Sequence, residues 1–83
     1  MPLSVNTLFF ASYRELVGAS VLSVELDEGA TVRDLIQELR GRGAPFDALP
    51  EMPAIAVNQT YAMMDEPLGQ GDEIAFIPPV AGG

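Results

Sequence analysis

The segment Ile74-Ala75-Phe76-Ile77-Pro78-Pro79-Val80-Ala81-Gly82-Gly83 combines the last predicted strand of the chain with an apolar tail. It has no charged side chain, although the whole chain carries a net charge of -8. Two prolines favour a stiff extended backbone, so the strand must stop before Pro78 and the chain must project outward. Glycine lacks a Cβ, so Gly82 and Gly83 can pass through a narrow channel. We interpret the segment as a stalk presenting a slim finger that ends in the α-carboxylate of Gly83, with a frayed terminus as the alternative.

The composition excludes several classes of function. The chain has 83 residues, which is enough for one domain, and it contains neither cysteine nor histidine. Thiol catalysis, zinc sites and iron–sulfur ligation are therefore excluded, and we expect no metal site. All four basic residues are arginines, and the pI is near 4.1. This charge argues against nucleic acid or an anionic membrane as a partner and favours a basic protein surface.

The location of the protein is predicted from the lack of long apolar runs. No run approaches the ~18 residues of a membrane span. The start Met1-Pro2-Leu3-Ser4 is not a charged and then apolar signal peptide. We therefore expect a soluble cytoplasmic protein.

The first half of the chain predicts two strands around a short helical turn. Alternation over residues 3–10 predicts a strand with Val5, Thr7 and Phe9 on one side. Ser12-x-x-Glu15 matches a capping box, and Gly18 is typical of a helix end, so residues 12–17 are predicted as a helical turn. Residues 20–27 predict a second strand, antiparallel to the first.

The main helix has clear start and stop signals. Thr31 is predicted as its N-cap, with Asp34 completing a capping box, and Gly41 and Gly43 end it. Glu38 and Arg42 form a favourable i, i+4 pair. An apolar stripe predicts the buried face, and it consists of Val32, Leu35, Ile36 and Leu39.

The second half predicts a loop followed by three short strands. The loop spans residues 44–53, and strands are predicted at residues 54–57, 60–62 and 73–77, with a turn at Asn58-Gln59. A right-handed crossover would place the last strand parallel to the first, in the middle of the sheet. The ββαββ order predicts an α+β fold, the ubiquitin-like β-grasp, with one main helix packed on one face of a mixed sheet. We expect the domain to span residues 1–78 and the extended tail residues 79–83.

The sheet face opposite the helix is predicted to be apolar instead of polar. Candidates for this face are Leu8, Phe10, Tyr61 and Ile77. An apolar patch beside a projecting tail is typical of a docking surface. The alternative is that Leu8 or Phe10 packs beneath the loop at residues 44–53.

Short patterns along the chain carry a family resemblance. They are Leu8-Phe9-Phe10-Ala11, Arg14-Glu15-Leu16-Val17-Gly18, Ala56-Val57-Asn58-Gln59-Thr60, Pro67-Leu68, Gly71-Asp72-Glu73, Ala75-Phe76 and Pro78-Pro79-Val80-x-Gly82-Gly83. With these patterns the chain resembles the small, sulfur-carrying subunits of molybdopterin synthase over nearly its whole length. The closing pattern is specific, whereas residues 41–53 match poorly.

The resemblance implies a mechanism and a set of partners. A ubiquitin-activating-type adenylyltransferase would use ATP to convert the Gly83 carboxylate into an acyl adenylate, and a sulfur donor protein would then replace AMP to give a thiocarboxylate. The tail would enter the large subunit of molybdopterin synthase and transfer sulfur to cyclic pyranopterin monophosphate. The chain would hold no stably bound cofactor and would not be catalytic alone. The implied site is Gly83 with Gly82, and the implied partner contacts are Phe10, Leu8, Tyr61, Ile77, Pro78, Pro79, Val80 and Ala81. The hydroxyl of Tyr61 departs from a wholly apolar contact.

Other functions fit the same fold and tail. A sulfur carrier of the thiamine pathway would donate to thiazole synthase. A protein modifier would be joined through Gly83 to a target lysine, although a chain without lysine cannot build chains on itself. A non-covalent β-grasp module with an incidental Gly-Gly end is the third alternative.

Overall fold

The computed structural model describes residues 1–79. The strands are β1 (Leu3–Phe9), β2 (Val21–Leu26), β3 (Ala54–Val57), β4 (Thr60–Ala62) and β5 (Glu73–Ile77). The helices are α1 (Ala11–Val17) and α2 (Val32–Arg40), and a single 3-10 turn covers Phe46–Ala48. Within residues 1–79, no helix has the length and apolar character needed to cross a bilayer.

The sheet has five strands in the order β2-β1-β5-β3-β4. The central pair, β1 and β5, is parallel, whereas the other three pairs are antiparallel. Parallel neighbours require a crossover, which here runs through α2. The predicted α+β fold and β-grasp topology are confirmed, with the last strand beside the first in the middle of the sheet.

Helix α2 forms because its local signals agree. The Thr31 hydroxyl accepts a hydrogen bond from the Asp34 backbone N–H at 3.4 Å, and the Asp34 carboxylate accepts one from the Thr31 N–H at 2.9 Å. This is the predicted capping box. The predicted Glu38–Arg42 ion pair is also present, at 3.5 Å. The four residues of the apolar stripe are all buried: Val32, Leu35, Ile36 and Leu39.

The core lies between α2 and one face of the sheet. Phe9 and Phe76 sit on the neighbouring central strands with ring centroids 5.2 Å apart, and Tyr13 of α1 contacts Phe76 edge-on at 6.4 Å. Aromatic pairs in such tilted and edge-on arrangements add to the stabilisation from burial alone. The predicted inward residues Val5, Thr7 and Phe9 are all buried.

The start of α1 differs from the prediction. Its N-cap is Phe10, and no side chain caps the helix, so the capping box predicted at Ser12 is wrong. The chain turns sharply at Ala11, whose φ is 48°, and the Phe10 carbonyl accepts from the Tyr13 N–H at 3.0 Å. The helix therefore begins one residue earlier than predicted, which leaves Ser12 inside the first turn. The predicted C-terminal signal holds, because Gly18 adopts the left-handed conformation at φ 79°.

The loop at residues 44–53 packs on the helical side of the sheet. Its 3-10 turn contacts both helices. The Arg40 side chain fixes the loop, since its Nε donates to the Leu49 carbonyl at 2.8 Å and its NH1 lies 3.4 Å from the Glu51 carboxylate. Leu49, a residue of this loop, is buried in the hydrophobic core. Leu8 and Phe10 lie on the other side of the sheet, so the alternative that they pack beneath this loop is wrong.

Candidate functional site

The sheet face opposite α2, here called the outer face, carries an uncharged row across all five strands. Pairing between neighbouring strands fixes this row, because residues that face each other in a sheet lie on the same side. Leu8 is opposite Val21 and Ala75, Ala75 is opposite Ala56, and Ala56 is opposite Tyr61. The row therefore brings together Leu8 and Tyr61, which were predicted separately from local alternation.

A second uncharged row lies beside the first, at the end of the sheet where β5 finishes. Ile77 is opposite Ala54. Phe9 of β1 pairs with Phe76 of β5. If the same register continues by one residue, Phe10 lies beside Ile77. In the same way, the β3–β4 register extended by one residue sets Met63 opposite Ala54. This second row lies immediately before the two prolines of the tail.

The two rows together are called the tail-end patch. Its members are Leu8, Phe10, Val21, Ala54, Ala56, Tyr61, Met63, Ala75 and Ile77. None of them is charged, in a chain whose net charge is -8. The next row of the outer face, away from the tail, is polar and contains Asn6, Ser23 and Glu73. The outer face is thus apolar only at the end where the chain leaves the sheet.

Phe10 is presented to solvent by its backbone conformation. Its φ of -115° and ψ of 153° continue the extended strand, so its side chain points away from the buried side chain of Phe9. It is 48% exposed. The sharp turn at Ala11 then directs the chain into α1. Phe10 therefore stands at the rim of the tail-end patch.

Tyr61 lies on an edge strand whose position depends on a tight turn. Strand β4 has only three residues, and it is joined to β3 by Asn58 and Gln59, whose φ values are 50° and 72°. Such paired left-handed residues match the twist of a two-residue hairpin. Tyr61 is 75% exposed, so its ring and hydroxyl are both available to a partner.

The start of the tail is fixed by β5. Ile77 and Pro78 are half-buried and Pro79 is exposed. Proline has no backbone N–H, so the ladder between β3 and β5 ends at the Ala54–Ile77 pair. The other tail residues predicted as site residues, Val80 to Gly83, lie outside the described residues.

Sequence reasoning missed Val21 and Met63 as members of the tail-end patch. Val21 is 56% exposed, at the first position of β2. Alternation over β2 carried the signal, since Val24 and Leu26 are buried and Val21 lies at the opposite phase of the strand. For Met63 the signal was alternation from Tyr61, two residues earlier, and in the structure Ala62 and Met64 on either side of Met63 pack against the core.

Within residues 1–79, no ion pair involves a member of the tail-end patch. The ion pairs in residues 1–79 join Met1 to Glu28, Arg40 to Glu51 and Arg42 to Glu38. The part of the chain that the structure describes holds no cluster of acidic residues arranged to bind a metal ion. The candidate site therefore consists of the tail-end patch and the start of the tail.

Comparison with known proteins identifies the family. The model of the ThiS family matches residues 7–83. The chain belongs to the ThiS family. Its similarity to molybdopterin synthase sulfur carrier subunits, predicted from short sequence patterns, is confirmed. That of Escherichia coli is 42% identical over 81 residues, covering 95% of this chain and 99% of the relative. That of Haemophilus influenzae is 38% identical with the same coverage.

Solved structures of similar proteins share the fold. SAMP1 from Haloferax volcanii is 30% identical, with a TM-score of 0.79 over 96% of this chain and 99% of that protein. A complex of subunits 1 and 2 of molybdopterin-converting factor from Helicobacter pylori includes a chain that is 23% identical, with a TM-score of 0.69 over 98% of this chain and 100% of that chain. Because the identity to the Helicobacter pylori chain is only 23%, this similarity supports the fold and nothing more specific.

Proposed function

We propose that this chain is the sulfur carrier subunit of a molybdopterin synthase, with Gly83 as the sulfur-bearing residue. The observation that carries the proposal is the tail-end patch. An uncharged surface lies at the end of the sheet from which the Pro-Pro and Gly-Gly tail departs, in a family whose curated relatives bear that name.

The chemistry requires activation of the tail by another enzyme. A carboxylate is a poor electrophile, so the Gly83 carboxylate attacks the α-phosphorus of ATP on an adenylyltransferase and pyrophosphate leaves. A donor protein then supplies sulfur at the oxidation level of sulfide, which attacks the carbonyl carbon, and AMP leaves. The resulting thiocarboxylate is a strong nucleophile. On the large subunit its sulfur attacks a carbon of cyclic pyranopterin monophosphate and displaces an oxygen substituent. Water then cleaves the resulting thioester and restores the Gly83 carboxylate, and two such transfers build a dithiolene.

The chain itself positions the tail and keeps it narrow. Strand β5 is hydrogen-bonded on both sides, to β1 and β3, so the direction in which the tail leaves is set by the core. The tail-end patch would dock on the large subunit and bury its apolar area. Activated intermediates must be held away from water. The small residues Ala81, Gly82 and Gly83 suit a narrow closed channel.

The test is sulfur loading of the tail. The chain is incubated with its activating enzyme, ATP and a sulfur source, and the mass of the C-terminal peptide is measured. We expect one oxygen of the Gly83 carboxylate to be replaced by sulfur, and we expect the loaded chain to convert cyclic pyranopterin monophosphate in the presence of the large subunit. Conjugates to lysine without any thiocarboxylate would contradict the proposal and identify a protein modifier. Sulfur transfer to a thiazole synthase instead of the large subunit would identify a thiamine-pathway carrier.

A further inference from the structure

Met63 is an exposed thioether on the outer face. Side chains alternate along residues 61–64, because Ala62 and Met64 pack against the core whereas Tyr61 and Met63 point outward. Met63 is 75% exposed, the same value as Tyr61. The Met63 side chain is therefore open to solvent, and it belongs to the second row of the tail-end patch.

We infer that Met63 is an oxidation site through which peroxide weakens docking of this chain on the large subunit. The inference rests on the proposed function, since it concerns the surface that would meet that partner. We assign the large subunit as the partner that covers Met63, because Met63 lies in the same apolar surface as the residues that lead to the tail.

The chemistry needs only a peroxide as co-reactant. The thioether sulfur of Met63 attacks one peroxide oxygen, the O–O bond breaks, and the products are a sulfoxide and water, or an alcohol from an organic peroxide. Sulfur is oxidised and the peroxide is reduced. The sulfoxide is a polar hydrogen-bond acceptor on a formerly apolar side chain. A polar group that loses water on docking without gaining a partner destabilises the complex.

Met52 provides a matched control within the same chain. It is 78% exposed, close to the value for Met63, so peroxide has similar access to both sulfurs. Met52 lies before β3, in a groove lined by Arg33, Ile36 and Arg40 of α2. Because α2 covers the opposite face of the sheet, oxidation of Met52 changes a surface that is not part of the tail-end patch.

The experiment compares binding before and after peroxide treatment. The full chain is used with its tail as the free carboxylate, since a thiocarboxylate would itself react with peroxide. Hydrogen peroxide is added and then removed with catalase, sulfoxides are mapped by peptide mass, and the fold is checked by circular dichroism. The affinity for untreated large subunit is then measured by calorimetry.

We expect oxidation of Met63 to weaken binding and oxidation of Met52 to leave binding unchanged. Wild-type chain with sulfoxide at residue 63 should bind on the order of tenfold more weakly, as expected for a buried polar group without a partner, and methionine sulfoxide reductases should restore binding. Met63→Leu should keep its affinity after peroxide, whereas Met52→Leu should lose affinity as the wild type does. Met64→Leu tests the half-buried neighbour and should behave like the wild type.

Three results would overturn the inference. They are unchanged binding by a wild-type chain that carries the Met63 sulfoxide, an equal loss in Met63→Leu, and protection by Met64→Leu alone. Failure of the untreated chain to bind the large subunit would overturn the proposed function, and this inference with it. If the untreated chain binds normally and the oxidised chain binds equally well, the inference about Met63 is wrong and the proposed function is unaffected.

Discussion

The side-chain amide of Asn58 donates a hydrogen bond of 3.0 Å to the carboxylate of Asp72, which joins the β3–β4 turn to the residue before β5. The same carboxylate accepts from the Gly69 N–H at 2.8 Å, and the Asn58 Oδ1 accepts from the Glu73 N–H at 3.0 Å. These bonds fix the start of the strand that leads to the tail. They also hold Asn58 in the left-handed conformation that the hairpin needs.

The first prediction concerns this pair. Asp72→Ala should lower the free energy of unfolding by about 1–2 kcal/mol, because it removes the partner of the part-buried Gly69 N–H as well as that of Asn58. Urea unfolding followed by circular dichroism measures the change. Asp65→Ala, in the nearby loop after β4, removes an exposed carboxylate and should change the stability by less than about 0.5 kcal/mol. Equal losses for the two variants would show that the hydrogen bonds of Asp72 do not cause the loss.

Thr7 offers a route to greater stability. Its side chain is fully buried on β1, and its Oγ1 has no hydrogen-bond partner among residues 1–79. Thr7→Val keeps the β-branched shape and removes the unpaired hydroxyl, so it should stabilise the fold by about 1 kcal/mol. The control is Thr60→Val, an exposed position on β4 where little change is expected. A less stable Thr7→Val protein would mean that the hydroxyl has a partner after all.

Ile77 tests the docking role of the tail-end patch. Ile77→Asp should leave the fold intact, since the side chain points outward, but it should weaken binding to the large subunit by roughly 30-fold or more, as for a residue at the centre of an interface. Asn6→Asp adds the same charge to the polar row of the outer face and should have a small effect. Affinity is measured by calorimetry and the fold by circular dichroism. An unfolded Ile77→Asp protein would place this residue in the core and contradict the outward assignment.

A substitution at Gly82 tests whether the tail can reach the reaction centre separately from whether the chain binds its partner. Gly82→Val should fold and dock much as the parent does, because docking is proposed to depend on the tail-end patch. The branched side chain restricts φ and ψ and widens the tail. A misplacement of about 1 Å can reduce the rate on the order of 100-fold, so adenylation and sulfur transfer should fall far more than affinity. Rates and affinity are measured side by side on the same preparations. Parental rates would mean that the channel is wide enough for a branched residue.

Local signals in the sequence predicted most of the helices and strands. Thr31, Asp34 and the apolar stripe of α2 lie within a few turns of one helix, so their periodicity alone determines where the helix begins and which face it buries. Alternation likewise assigned Phe9 inward and Ile77 outward. The start of α1 was not predicted, because its N-cap Phe10 has no capping side chain and alanine is not typical of the positive φ found at position 11.

The sequence by itself determined the fold class, the uncharged tail and the outward positions of Leu8, Phe10, Tyr61 and Ile77. Only the tertiary structure decided that these residues form one surface with Val21 and Met63. The reason is that each strand specifies which side chains share its own face, whereas the registers between strands distant in the chain specify which of them become neighbours. Those registers are set by the packing of the buried face against α2, where Phe9 and Phe76 meet.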